Sequence, residues 1–156
     1  MTDKDYYRVM HYFFKRCTTG FKPTGDFMPG SDEMPKIILS DGYAVFVVPM
    51  DYMLLSDNVL KPFPEASPIP CMLSQQSADR LADVTEHYLR RDNTYYHALR
   101  CGDRYVHVDD KYLRLFPKCD FYFRDGENPI VLCTDRETRE VIGAICPLAE
   151  NTDGDA

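Results

Sequence analysis

Apolar residues recur along the first twenty positions at the spacing of a helix. Tyr6, Met10, Phe13, Phe14 and Cys17 fall at i, i+4, i+7, i+8 and i+11, one face of a 3.6-residue repeat. Thr2 or Asp3 can cap its start, Gly20 lies just past its end, and the opposite face carries Arg8, Tyr12 and Lys15. Residues 18–35 hold Gly20, Pro23, Gly25, Pro29, Gly30 and Pro35 and read as a loop. Two β-rich runs follow, 36–39 and 43–48, separated by a short turn containing Asp41-Gly42, which predicts a hairpin. The second run is apolar on both faces, as expected of a central or helix-covered strand, and Pro49 ends it.

The stretch 57–70 carries Pro62, Pro64, Pro68 and Pro70 and has little periodicity. It reads either as a linker joining halves 1–56 and 71–150, or as a long loop strapped over the core of a single domain 1–150. Residues 75–91 then fit a helix: Ser74 or Ser77 can cap it, and Ala78, Leu81, Ala82, Thr85, Tyr88 and Leu89 form an inner face. On that reading Glu86 and Arg90 make an i, i+4 pair, and Arg80, His87 and Arg91 stack one turn apart on an outer flank. The last third reads as a meander. Runs 95–101 and 104–108 flank the glycine-first turn Gly102-Asp103, and 119–123 and 129–133 flank a turn containing Asp125-Gly126. Between them Asp109 or Asp110 caps a short helix stopped by Pro117, and a final strand spans 140–146. The fold class expected is therefore α+β, mostly an antiparallel sheet of hairpins with two long helices and one short one. The echo between 37–47 and 121–131, each a strand, an Asp-Gly turn and a strand, raises a duplication of two halves as one reading; the commonness of Asp-Gly hairpins supplies the other.

Composition changes this picture in only a few places. The chain has 156 residues, 18 Lys and Arg against 25 Asp and Glu, and a net charge of −7. That acidity argues against a polycation coating nucleic acid but leaves room for a local basic face. Residues 151–156 read as a frayed acidic tail. The longest apolar stretch, 43–50, contains Pro49 and is far short of the roughly 20 residues a membrane span needs, so no membrane partner is expected. Residues 1–5 are acidic with no apolar run behind them, so no signal peptide is expected and the expected location is cytoplasmic. The six cysteines, 17, 71, 101, 119, 133 and 146, include no C-x-x-C and read mostly as buried small hydrophobes.

Candidate chemistry is sparse. His97, Cys101 and His107 could suggest zinc, but residues i and i+4 on a strand lie about 13 Å apart and cannot share one ion, so no metal or other cofactor is expected. Asp109-Asp110 could serve a hydrolase, as could a Cys–His pair, yet the doublet is better explained as a helix cap, and no cysteine is marked by a helix N-terminus. The phosphate-binding and nucleophile-elbow motifs are absent, so no catalytic residue is named. Basic residues on the outer faces of the expected helices, Arg8, Lys15, Arg80, Arg91, Lys111 and Arg114, are the candidates for contact with nucleic-acid phosphates. Solvated helix faces are the alternative for the same residues.

Three stretches carry a family resemblance: 106–116, 120–132 and 141–148. Together they resemble the C-terminal end of a bacterial DNA polymerase sliding clamp. Val108, Tyr112 and Leu113 match the family's V-x-x-x-Y-L opening of a short helix, Pro129 and Ile130 its returning strand, and Cys146-Pro147 the closing dipeptide. The resemblance implies a fold of helix-plus-strand halves with helices facing DNA, and Lys111 and Arg114 as first candidates on that side. It departs from the family in size. A clamp subunit resembles three such domains in series, whereas this chain has room for one, so a ring would require copies to associate. The leading reading is a non-enzymatic binding protein, clamp-like, acting beside DNA or replication proteins. The alternatives are a small protein-binding module, for example of a mobile element, without nucleic-acid contact, and a cysteine or carboxylate hydrolase.

Overall fold

The computed structural model describes residues 1–28, 35–65 and 67–149; the tail 151–156 and residues 29–34 of the long loop lie outside these. Nine strands form one sheet in the order β1-β2-β3-β9-β8-β7-β4-β5-β6, and every neighbouring pair is antiparallel. The strands are β1 (Thr24–Phe27), β2 (Lys36–Ser40), β3 (Ala44–Pro49), β4 (Arg80–Arg91), β5 (Thr94–Cys101), β6 (Arg104–Asp109), β7 (Cys119–Arg124), β8 (Ile130–Asp135) and β9 (Val141–Ile145). The helices are α1 (Asp3–Cys17), α2 (Ile69–Met72) and α3 (Asp110–Leu113).

The expectation of two long helices is overturned: only α1 is long, and 80–91 is a strand. The apolar positions of this stretch fit a helical period locally, but long-range pairing decides the outcome. Arg80–Ala82 pair with β7, and Asp83–Arg91 pair with β5 through a bulge between Val84 and Tyr88. Thr85 fixes the bulge by donating from Oγ1 to the Ala98 carbonyl, while its own carbonyl meets His97 Nε2. At the far end, Asp92 and Asn93 both take positive φ, 51° and 64°, which makes them the tight two-residue turn that Asp and Asn tolerate. Glu86 and Arg90 are consequently no i, i+4 helical pair, and Arg90 donates to Asn93 instead. The proline- and glycine-rich loop also contains a strand that its composition hides, β1, which pairs along β2.

Both faces of the sheet are covered. On one, Val9, Met10 and Phe13 of α1 join Leu39, Phe46, Val131, Cys133 and Phe121 in the main core. On the other, Ile38, Val47, Ile130, Leu132 and Ala144 are packed under Phe63, Ile69, Met72 and Leu73 of the proline-rich segment. β8 is buried at all six residues between these layers. The sheet also rolls back on itself. Beyond β9, the Cys146 N–H donates to the Tyr43 carbonyl and the Leu148 N–H to the His107 carbonyl, so edge strand β6 lies beside the exit of a central strand. Gly143 sits where β9 is closest to Phe116: a Cβ there would lie 2.5 Å from that ring and from the Val45 carbonyl.

Two polar clusters join these layers. Asp41, at the β2–β3 turn and only 6% exposed, accepts from Tyr12 of α1 (2.5 Å) and Tyr112 of α3 (2.6 Å) through Oδ2, and from the N–H groups of Tyr43 (2.9 Å) and Ala44 (3.0 Å) through Oδ1. Arg124, at the end of β7, grips Asp79 with two parallel bonds of 2.7 and 2.8 Å and donates to the Met72 and Ser74 carbonyls, tying the strap to the sheet. The bond from Arg124 holds the Asp79 carboxyl below its ordinary value of 3.8 against the opposing effect of burial.

Removing the Asp41 carboxylate leaves two buried hydroxyls and two N–H groups without an acceptor. Asp41→Ala is therefore expected to lower unfolding stability by about 3–5 kcal/mol, and Tyr112→Phe by about 1 kcal/mol, in urea titrations. Asp79 has a depressed folded pKa, so its contribution is complete above its unfolded value and is lost as pH falls through the folded one. Asp79→Asn is expected to cost about 2 kcal/mol at pH 7, and its difference from the wild type to close as pH drops from 5 toward 2. A difference that stays constant over that range would show that the ion pair is not the source.

Candidate nucleic-acid interface

α1 forms because its start is closed twice over. Thr2 Oγ1 accepts from the Asp5 N–H, and Asp5 accepts from the Thr2 N–H and hydroxyl, a reciprocal capping box. Asp3 and Asp5 in the first turn and Lys15 and Arg16 in the last complement the helix dipole. The buried face is rotated from the one expected. Val9, Met10 and Phe13 are fully buried, whereas Phe14 is 55% exposed and Tyr12 turns inward to Asp41. With apolar side chains around more than half of the helix, periodicity alone does not decide which of them face the sheet.

α3 is a single turn capped by Asp109, whose Oδ1 accepts from the Lys111 N–H at 3.0 Å. It lies beside α1 on the same face of the sheet: the Tyr12 and Tyr112 rings meet edge to face at 6.1 Å, and Phe46 of β3 contacts Phe13 at 5.4 Å and stacks on Phe116 at 4.9 Å. Away from the sheet, α1 exposes Lys4, Arg8, His11 and Lys15, one stripe at i, i+4, i+7 and i+11. α3 and the residues after it expose Lys111, Arg114 and Lys118. Lys118 and Arg8 both act on Asp5, helping to hold its carboxyl down against burial together with the bonds from Thr2. The segments 3–17 and 109–118 carry seven Lys and Arg against four Asp, in a chain with 18 against 25.

Of the six basic residues singled out from the sequence, Arg8 and Lys15 are exposed on α1, and Lys111 and Arg114 on α3 and the residue after it. Arg80 and Arg91 are not on a helix and do not join them. They sit at the two ends of β4, eleven residues apart in sequence. Arg80 lines a recess of about 200 Å³ with Arg104, Arg124 and Asp125, and Arg91 lines a groove of about 430 Å³ with Leu89, His107 and Pro129. Lys4 and Lys118 were missed by sequence reasoning, although the spacing of Lys4 from Arg8 and Lys15 was available. Asp41 was read only as a turn residue.

The carboxylates of the hydrolase alternative, Asp109 and Asp110, have structural partners. Asp109 caps α3 and lies 3.7 Å from Lys111 Nζ, and Asp110 pairs with Arg114 (2.7 Å) and His97 Nδ1 (3.3 Å). Of the cysteines, Cys101, Cys119 and Cys133 are core residues, Cys17 is half-buried, and Cys71 and Cys146 are exposed. Burial pushes the Cys119 thiol up to about 12, with the nearby Asp135 adding to it, and raises Cys133 well above its ordinary value. Among the described residues no three His, Cys, Asp or Glu side chains gather to hold a metal ion, and no helix is long and apolar enough to cross a membrane. No family model matches the chain, and no curated protein or solved structure matches it either.

Proposed function

We propose that this chain is a non-enzymatic binding protein that lies against the phosphate backbone of DNA with its α1–α3 layer, in the manner of a clamp-like domain. The observation that carries this reading is the single layer formed by two helices that share Asp41 and turn Lys4, Arg8, Lys15, Lys111, Arg114 and Lys118 away from the sheet. Such contacts neutralise phosphates without reading bases, so the binding is independent of sequence and steeply dependent on salt. The acidic remainder of the molecule orients the approach, since a negative surface is repelled by DNA while the helix layer is drawn to it.

A second reading, a protein-binding module that includes association of copies, is favoured by β4. Beyond Ala82 this strand pairs only with β5 among the described residues, and it exposes Val84 (48%) and Tyr88 (53%). A native mass that shows an assembly, dispersed by Val84→Lys with Tyr88→Lys, would carry that reading.

The DNA reading is tested by fluorescence anisotropy with a labelled 30-base-pair duplex between 20 and 200 mM KCl. Each phosphate contact contributes about 0.9 to the slope of log K against log salt. Lys111→Ala with Arg114→Ala, and Arg8→Ala with Lys15→Ala, are each expected to flatten that slope by one to two units and to weaken binding about tenfold at low salt. Arg80→Ala with Arg91→Ala is expected to change little. Absence of binding at 20 mM KCl, or helix variants that bind like the wild type, would overturn the proposal.

A further inference from the structure

We infer that the cavity beside α3, between the β2–β3 turn and the segment that follows β9, holds one unstacked base of single-stranded DNA whose phosphate rests on Lys111; this rests on the DNA reading above. The cavity measures about 600 Å³, within the range of small-molecule sites, and three tyrosines line it. Tyr43 projects from the turn that Asp41 holds and is 64% exposed, which leaves its ring without apolar cover. Tyr96 stands on β5 directly across from Asp109 of β6. Tyr112 is buried, its hydroxyl fixed by Asp41. Pro147 and Leu148 of the segment after β9 also line it, held there by the bonds from Cys146 to Tyr43 and from Leu148 to His107.

A planar, uncharged ring with an anion attached is the ligand this lining suits. Tyrosine faces stack on any base, so the site needs no particular sequence. Lys111 Nζ lies 4.9 Å from the centre of the Tyr112 ring and 3.7 Å from Asp109, which holds the cation at the cavity and on the helix layer at the same time. The cavity and the basic layer therefore share one residue, and a strand lying on the layer passes the opening. A duplex, whose bases are paired and stacked, can use the layer but not the cavity. The consequence is a preference for single strands, ends or gaps over continuous duplex.

The test compares a labelled 15-nucleotide single strand with the same strand carrying abasic sites throughout its central third, both against the duplex, by anisotropy at 50 mM KCl. The wild type is expected to bind the intact strand about tenfold more tightly than the abasic one. Tyr43→Ala with Tyr96→Ala is expected to abolish that difference and leave duplex binding unchanged, while Tyr43→Phe with Tyr96→Phe retains it. Cys146, exposed at the rim, supplies an independent readout: alkylation by N-ethylmaleimide, followed by peptide mass, is expected to slow with the intact strand and not with the duplex. Equal binding of intact and abasic strands, with duplex binding present, would overturn this inference and leave the helix-layer reading standing. Loss of both single-strand and duplex binding would overturn the two together. Protection of Cys146 by a free mononucleotide but not by the strand would overturn the single-strand assignment in favour of a small-molecule site.

Discussion

The arrangement of this molecule depends on one buried carboxylate. Asp41 closes the β2–β3 turn through two backbone N–H groups and anchors α1 and α3 through two tyrosine hydroxyls. A charge removed from water is costly unless its lone pairs are occupied, and here four donors occupy them. The donors are suited to the task. Burial and the bond to Asp41 push the Tyr12 hydroxyl up to about 12 and the Tyr112 hydroxyl higher still, so both stay protonated wherever the protein folds. The same residue holds a hairpin turn, the long helix and the short one, so the placement of both cation-bearing helices depends on it.

That dependence explains what could and could not be read from the sequence. α1 and the hairpins β2–β3, β5–β6 and β7–β8 were legible, because their signals are local: an amphipathic repeat with caps, and Asp-Gly or Gly-Asp turns between β-rich runs. β4 was not. Its apolar residues satisfy a helical repeat as well as a strand, and its conformation is decided by partners that come later in the chain, β5 and β7. The one local sign was Asp92-Asn93, a dipeptide fit for two successive positive φ angles. β1 was hidden for the opposite reason, since Gly25 lies within a stretch full of loop residues and yet fits under the Leu39 and Leu60 side chains.

The candidate surface divides in the same way. Arg8 and Lys15 lie exposed on α1, and Lys111 and Arg114 on or just after α3, where helical spacing puts them. Arg80 and Arg91 were placed on a helix face, and the structure puts them on strand β4 instead. Tyr43 and Tyr96 carried no sequence signal at all: they come from a turn and a strand fifty residues apart, and only the segment after β9, bonded to Tyr43 on one side and to β6 on the other, makes them two walls of one cavity.

The remaining physical question is how an acidic chain keeps a usable basic face. Lys111 and Arg114 are not free cations; Asp109 and Asp110 lie beside them. These pairs are half-exposed or more on the cationic side, where an ion pair is worth about 0–1 kcal/mol. Asp109 has a second attachment that survives loss of the cation, since it caps α3. On the proposed reading a phosphate draws Lys111 away at little cost, with Asp109 left satisfied by the backbone. The acidic remainder of the surface acts over only ~8 Å at physiological ionic strength, too short a range to cancel the helix layer from the other side of the sheet. Charge segregation by layer, not net charge, is what the proposed contact with a polyanion relies on.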